Sequence, residues 1–273
     1  MSRLPFFAVS VGKPGAGLPN EDRALARADL LAVSDGAGGG GIYADLWAEW
    51  LLDHLPDRPF ADFAAMDAWV DGIWEPFYAD CEARARRAGG LVLSKFYDEG
   101  SFATLAAAWH TAEGWQWVAY GDSVVFCYHA ATGRLEHSFT RLADFDRPPF
   151  LINFRQPLAA AGYRCGVFGP AERGDVVFCT TDALACYVLT RYELAHEKVF
   201  DTELREALDA GGRRAMCLRR AAARRRRNFG HAVVGPLADC QGSETNFGRH
   251  VAALVRRGLA VPDDFSLALC GVR

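Results

Sequence analysis

No apolar run in this chain of 273 residues approaches the ~20 that a membrane helix needs, which excludes a helical membrane protein. The opening stretch, Met1-Ser-Arg-Leu-Pro-Phe-Phe, holds too few apolar residues to read as a secretory signal. Eight cysteines, at positions 81, 127, 165, 179, 186, 217, 240 and 270, form no C-x-x-C pair, and several sit in apolar runs where a reduced thiol behaves as a small hydrophobe. Free thiols of this kind are expected of a protein in the reducing cytoplasm. The histidines lack H-E-x-x-H or any other close ligand spacing, which argues against a histidine-built zinc site. The glycine run from Gly38 to Gly41 lacks the Lys-Ser/Thr of a P-loop and the G-x-G-x-x-G spacing of a dinucleotide cradle. There is no Ser-His-Asp arrangement to suggest a serine nucleophile. A net charge of -4 makes nucleic acid an unlikely overall partner.

What the chain does have is a scatter of acidic residues at turns and strand ends. They are Asn20-Glu21-Asp22, Ser34-Asp35-Gly36, Gly121-Asp122-Ser123, Thr181-Asp182-Ala183 and Asp263-Asp264. Four of the five groups adjoin a β-like run: Leu30–Val33, Trp115–Ala119, Asp175–Cys179 and Phe265–Cys270. Carboxylates delivered from separate strands can meet on one rim of a sheet, and like charges gathered there require a cation. Oxygen ligands of this kind suit a hard divalent ion. Taken singly, Asp22, Asp35, Asp182 and Asp263 each read more readily as a turn or strand-end residue bonded to its own backbone, and it is together that they read as a metal site.

The pattern of elements predicts short strands at 5–12 and 29–34, then helices over Ile42–Leu55 and Phe60–Ala88, the second interrupted at Pro76. After Gly89-Gly90 the strand-like runs Phe102–Trp109, Trp115–Ala119, Val124–His129 and Leu135–Thr140 read as an antiparallel meander. A long irregular loop is expected from Asp144 to Gly169. A strand at Asp175–Thr181 leads to a helix from Ala183 to about Arg191. A helical block follows over Asp201–Arg227, another helix over Phe247–Arg257 and a last strand at Phe265–Val272. Strands first and last with helices between argue for an α+β sandwich, and without a linker or repeat the expectation is one domain over residues 1–273.

In order, these segments resemble the PP2C family of metal-dependent protein phosphatases. Asn20-Glu21-Asp22 is similar to N-[QE]-D, Val33 through Gly39 to V-[AS]-D-G-M-G-G, and Gly100 through Thr104 to the G-[ST]-T-A strand. Tyr120 through Ser123 is similar to V-G-D-S, Gly174 through Leu184 to G-D-x-[LI]-[LV]-L-C-[ST]-D-G-L, and Asp263 through Leu267 to D-[ND]-x-[TS]-[LV]. The resemblance implies an α/β/β/α four-layer sandwich, two antiparallel sheets flanked by helix pairs, with two Mn²⁺ or Mg²⁺ ions at one end. Asp35 would bridge both ions, with the Gly36 carbonyl completing one shell. Asp182 and Asp263 would hold one ion, Glu21 and Asp22 would lie on the side of the other, and Asp122 matches a ligand of a third, weaker ion. The implied reaction is hydrolysis of phosphoserine or phosphothreonine by a water held between the two cations, on protein substrates of a cognate Ser/Thr kinase.

Three departures qualify the resemblance. The arginine that family members carry just before N-[QE]-D, where it grips the substrate phosphate, is missing from Gly15-Ala16-Gly17-Leu18-Pro19. The nearest cation is Lys13, a point charge without the planar fork. Asp182 is followed by Ala183 in place of the usual glycine, and Ser123 by Val124 in place of arginine. Two rival readings stay open: an inactive relative that acts as a regulatory binding module, and a metal-dependent phosphatase of a small phosphometabolite. The basic block Arg213-Arg214, Arg219-Arg220 and Arg224 through Arg227 reads either as a solvated helix face or as a dock for an acidic or phosphorylated partner.

Overall fold

The computed structural model describes residues 6–38, 41–196, 198, 200–223 and 228–271. Their elements run β1 (Phe6–Val11), β2 (Arg23–Arg27), β3 (Leu30–Ser34), α1 (Ala44–Asp53), α2 (Phe63–Ala88), α3 (Gly90–Asp98), β4 (Leu105–Thr111), β5 (Gly114–Tyr120), β6 (Val124–His129) and β7 (Arg134–His137). The second half gives β8 (Tyr163–Phe168), β9 (Val176–Thr180), α4 (Asp182–His196), α5 (Phe200–Ala210), α6 (Gly212–Ala222), α7 (Gly235–Ala238), α8 (Glu244–Arg256) and β10 (Phe265–Gly271).

The strands form two antiparallel five-stranded sheets, ordered β1-β10-β9-β6-β7 and β2-β3-β4-β5-β8. Period-two alternation explains how they stack. On β3, Leu31 and Val33 face the other sheet while Leu30 and Ala32 face the helices; on β9, Val177 and Cys179 face inward while Val176 and Phe178 face out. The layer between the sheets combines small side chains, among them Ala106, Ala108 and Ala268, with Trp115 and Phe168. Large side chains also fill the outer layers. Trp47, Met66, Phe77 and Phe96 bury α1, α2 and α3 on one sheet, and Leu184, Val188, Leu218 and Phe247 bury α4, α6 and α8 on the other. The expected four-layer α/β/β/α sandwich is the observed one.

Several local expectations need correction. Pro76 lies inside α2 without ending it, because Met66 and Val70 before it and Phe77, Cys81 and Ala85 after it are all buried and hold both halves to the sheet. Gly89 and Gly90, with φ of 65° and 53°, lead into another helix, α3, and not directly into strands. The meander divides: β4 and β5 belong to one sheet, β6 and β7 to the other. The segment from Asp144 to Gly169 contains β8, whose sequence hides it because an edge strand of mixed burial carries no clean apolar alternation. β2 was not anticipated at all. The block Asp201–Arg227 breaks at Gly211-Gly212, which take φ of 73° and 94°, so that α5 and α6 form separate helices. Residues 224–227 of the basic block, residue 5 and residue 272 of the expected terminal strands, and Gly39-Gly40 of the glycine run lie outside the described residues.

Candidate functional site

The ends of β1, β3, β5 and β9 and the starts of β2, β4, β6 and β10 meet at one end of the sandwich. Asp35 sits just past β3. Its backbone N–H donates to Thr104 Oγ1 at 3.2 Å and its carbonyl accepts the Thr104 N–H at 2.9 Å, while Thr104 Oγ1 lies 2.6 Å from Ser123 Oγ. Gly36 follows where no side chain fits: a Cβ would come within 2.6 Å of the Glu21 carbonyl oxygen and 2.7 Å of the Ala44 one. The Gly36 carbonyl itself accepts the Gly38 N–H at 3.1 Å.

Asp122 lies on the crossing from β5 to β6, where the chain changes sheets. Gly121 makes the turn with φ of 94°, where a Cβ would come within 2.7 Å of Thr104 and of the Phe150 carbonyl. Asp182 opens α4 and accepts the Ala183 N–H at 2.5 Å. Ala183 is helical and not among the residues with positive φ, so alanine costs nothing where glycine was expected. Asp22 is almost fully buried and accepts the Thr181 hydroxyl at 2.6 Å, while Thr181 Oγ1 in turn accepts the Ser266 N–H at 3.1 Å. Asp264 is more than a turn residue: its carboxylate accepts the N–H groups of Lys13 at 2.6 Å and Glu21 at 2.8 Å, tying the β1–β2 loop to the start of β10.

Burial dominates the electrostatics. Desolvation, the neighbouring Asp264 and Asp263 push the Asp22 carboxyl up to about 7, against relief from Thr181 and from a hydrogen bond to Asp35. Asp35 and Asp182 are held well above the ordinary carboxylate range by burial first, then by Asp22, Asp182 and Asp122 around the former and by Asp122, Asp263 and Asp22 around the latter. Burial raises Asp122 to about 6 despite the nearby Arg164 guanidinium, and its Oδ1 is buried with no hydrogen-bond partner. Asp263 is raised by burial and lowered by Lys13, whose Nζ stands 3.8 Å away. The structure thus brings Asp22, Asp35, Asp122, Asp182 and Asp263 into mutual electrostatic reach. Glu21 stands apart, its carboxylate against the Gly38 N–H and its charged neighbours Asp264 and Asp45. No three His, Cys, Asp or Glu side chains among the described residues are closed into a coordination shell. The two observations describe one situation: carboxylates repelling one another turn to the nearest local donors, Thr181 for Asp22, Ala183 for Asp182 and Asp264 for Asp263. Oxygen-only donors, a buried acceptor without a partner and a surplus of negative charge are the features a hard divalent cation satisfies.

Two cavities flank the cluster. One, of about 230 Å³, is lined by Asp182 and Asp263 together with Arg213 and Arg214 of α6, so the start of the basic block borders the acidic cluster. The other, of about 490 Å³, opens beside Asp122 and is lined by Arg141, Arg147 and Arg164.

No protein-family model and no curated protein matches the chain. Among solved structures, the serine/threonine phosphatase PstP/Ppp of Mycobacterium tuberculosis aligns over 100% of both chains with a TM-score of 0.51 and 18% identity. PppA of Pseudomonas aeruginosa, described as a key regulatory component of T6SS, aligns over 99% of this chain and 98% of its own with a TM-score of 0.51 and 17% identity. The chain has the PP2C-type phosphatase fold.

Within that PP2C-type fold, a layer of polar residues supports the acidic cluster; most lie in the quoted motifs, and Ser10 lies outside them. Followed two residues toward the site, each inward-facing apolar position becomes polar: Ala8 to Ser10, Ala24 to Asp22, Val33 to Asp35, Ala106 to Thr104, Val125 to Ser123, Cys179 to Thr181 and Ala268 to Ser266. Ser10, Asn20 and Ser266 are joined by hydrogen bonds of 2.7 Å. The period-two switch is present in the sequence, but reading it requires knowing which strands share the interior. All eight cysteines are free, and no described helix is long and apolar enough to cross a membrane.

Proposed function

We propose that this chain is a metal-dependent phosphoprotein phosphatase, a hydrolase of phosphoserine and phosphothreonine esters acting in the cytoplasm on substrates of a Ser/Thr kinase. The observation that carries the reading is the convergence of Asp22, Asp35, Asp122, Asp182 and Asp263 from five chain segments onto one end of a PP2C-type sandwich, buried and short of positive charge. Two Mn²⁺ or Mg²⁺ ions would be held by Asp35 with Asp182 and Asp263 on one side, and by Asp35 with Asp22, Glu21 and the Gly36 carbonyl on the other. Asp122 would serve a weaker third ion. When bound, such ions activate water and neutralise charge on a transferring phosphoryl group.

The chain's own residues prepare the site. Thr104 fixes the backbone of Asp35 through two hydrogen bonds, and Thr181 locks the orientation of Asp22. The first turn of α4 presents its N–H to Asp182, favouring the ionised form at that helix end. Lys13, anchored through its backbone to Asp264, places an ammonium on the rim beside Asp263, where it can meet a phosphate as a point charge. The described part of the basic block, with Arg213 and Arg214 at the cleft, suits an acidic or phosphorylated partner.

The test is hydrolysis of p-nitrophenyl phosphate and of a phosphothreonine peptide with and without millimolar Mn²⁺. Turnover is expected to depend on Mn²⁺ and to fall on the order of 10³-fold in Asp35→Asn and Asp182→Asn. One observation favours a second reading, a regulatory binding module: residues 15–19 carry no arginine for the substrate phosphate. Mn²⁺ binding without turnover of either substrate would establish that alternative.

A further inference from the structure

The missing arginine poses a chemical question that the Asp122 cavity answers. Most cations around the cluster are engaged. Arg23 donates to the carbonyls of Asn20 and Asp22 and pairs with Asp45 at 3.3 Å. Arg141 and Arg147 each stand 3.6 Å from Asp144, and Arg214 stands 2.8 Å from Asp146. Like Arg214, which keeps a buried Nε–H without an acceptor, Arg164 on β8 has donor capacity left, and unlike Arg214 it faces no carboxylate within ion-pair distance among the described residues. Its guanidinium lies over the Phe139 ring at 5.0 Å and donates through Nη2 to the Gly121 carbonyl, one residue from Asp122, while its Nε–H is buried with no acceptor.

The same cavity is therefore lined by a half-buried guanidinium with unused donor capacity and by Asp122, whose Oδ1 is buried with no donor. The two residues do not satisfy each other. What completes both is a ligand that is cationic toward Asp122 and anionic toward Arg164, and a divalent ion carrying a phosphate monoester is such a ligand. Phe150, 46% exposed, and Pro149 give the cavity an apolar wall for the side chain bearing the phosphate.

We propose that Arg164 is the phosphate-binding arginine of this chain, so that the phosphorylated residue enters through the Asp122 cavity and not across the Gly15–Pro19 loop. Burial against Phe139 and the anchor to Gly121 hold the fork in place before the ligand arrives, which lowers the entropy lost on binding. Arg213, which lines the other cavity beside Asp182 and Asp263, is exposed.

This inference rests on the phosphatase reading, and binding can be measured apart from turnover. Inorganic phosphate is titrated calorimetrically into the full chain with saturating Mn²⁺, for wild type, Arg164→Ala, Arg164→Lys and Arg213→Ala, each checked for an unchanged melting profile. Phosphate affinity is expected to drop about 10- to 100-fold in Arg164→Ala. Recovery in Arg164→Lys should be partial, because an ammonium keeps the charge and loses the fork. Arg213→Ala should lose less phosphate affinity than Arg164→Ala, and the affinity for Mn²⁺ alone should not change. With wild-type turnover intact, KM and the inhibition constant for phosphate should rise together in Arg164→Ala. If wild type hydrolyses its substrates and both Arg164 variants bind phosphate as it does, or if Arg213→Ala is the variant that loses affinity, the assignment is wrong while the phosphatase reading stands. Phosphate binding without turnover in wild type sinks the phosphatase reading and leaves the variants to judge Arg164. Should Arg164→Ala fail to fold, unimpaired phosphate binding in a folded Arg164→Lys is enough to overturn the proposal.

Discussion

Between the two sheets, Val33, Ala106, Val125, Cys179 and Ala268 are buried and apolar, and their neighbours are of the same kind. Two residues further along the same strands, Asp35, Thr104, Ser123, Thr181 and Ser266 continue the same inward face as a polar layer at the sandwich end. The first region is complete in itself, since small apolar groups need only each other. The second combines burial with like charge and gains from burial only when something positive joins it. The comparison teaches where stability was given up: one pleat separates a self-sufficient core from a rim whose buried carboxylates are short of positive charge.

Moving the boundary inward by one pleat should produce the largest effect. Val33→Asp places a carboxylate at a position with 0% exposure among Ala and Cys side chains, beyond the reach of any ion at the end of the sheets. A loss of more than about 4 kcal/mol is expected, seen as insoluble protein or as a collapse of the urea midpoint. Asp35→Asn should raise the stability of metal-free protein at pH 8 by on the order of 1–2 kcal/mol, because it removes a buried carboxyl whose ionisation burial and the neighbouring aspartates oppose. It should also weaken the stabilisation by Mn²⁺. In wild type that stabilisation should reach about 3 kcal/mol at a hundredfold excess over Kd. Urea unfolding of both proteins with and without Mn²⁺ checks the pair, and a metal-free Asp35→Asn less stable than wild type would count against repulsion as the governing term.

The contrast also explains what the sequence made legible. The acidic residues announced themselves because a strand end next to Gly or Ser is a local pattern, visible at Ser34-Asp35-Gly36 and Gly121-Asp122-Ser123 without knowledge of the fold. The sandwich was legible for the same reason, through its runs of alternating or continuous apolar residues. Arg164 was not, since nothing local distinguishes an arginine on an edge strand from a solvated one; the crossing from β5 to β6 and the pairing of β5 with β8 bring it to Asp122. Ser10 and Ser266 were hidden likewise, because their partner lies across 256 residues of sequence. The meander expectation failed on a related point: the Gly121-Asp122-Ser123 turn is a passage between sheets and not a hairpin.

The sharpest test of the charge imbalance is in the pH dependence of metal-free protein. Asp22 titrates at about 7 in the folded chain against 3.8 for an ordinary carboxyl, and Asp122 at about 6. Between these limits the folded protein binds more protons than the unfolded one, so stability must fall as pH rises. It is greatest near and below pH 4 as far as these groups are concerned, declines through pH 6 to 7, and levels off once both are ionised in the folded state. From pH 5 to pH 8, Asp22 alone should cost on the order of 2 kcal/mol. Apolar-core variants that leave the rim intact should preserve this slope. Saturating Mn²⁺ should reverse it, because a bound cation favours the ionised carboxylates and is itself displaced by protons. Urea midpoints at pH 5, 6.5 and 8, with chelator and with Mn²⁺, test both directions. A metal-free protein more stable at pH 8 than at pH 5 would mean that the rim carboxylates are already compensated by the chain, and the contrast with the inter-sheet core would disappear.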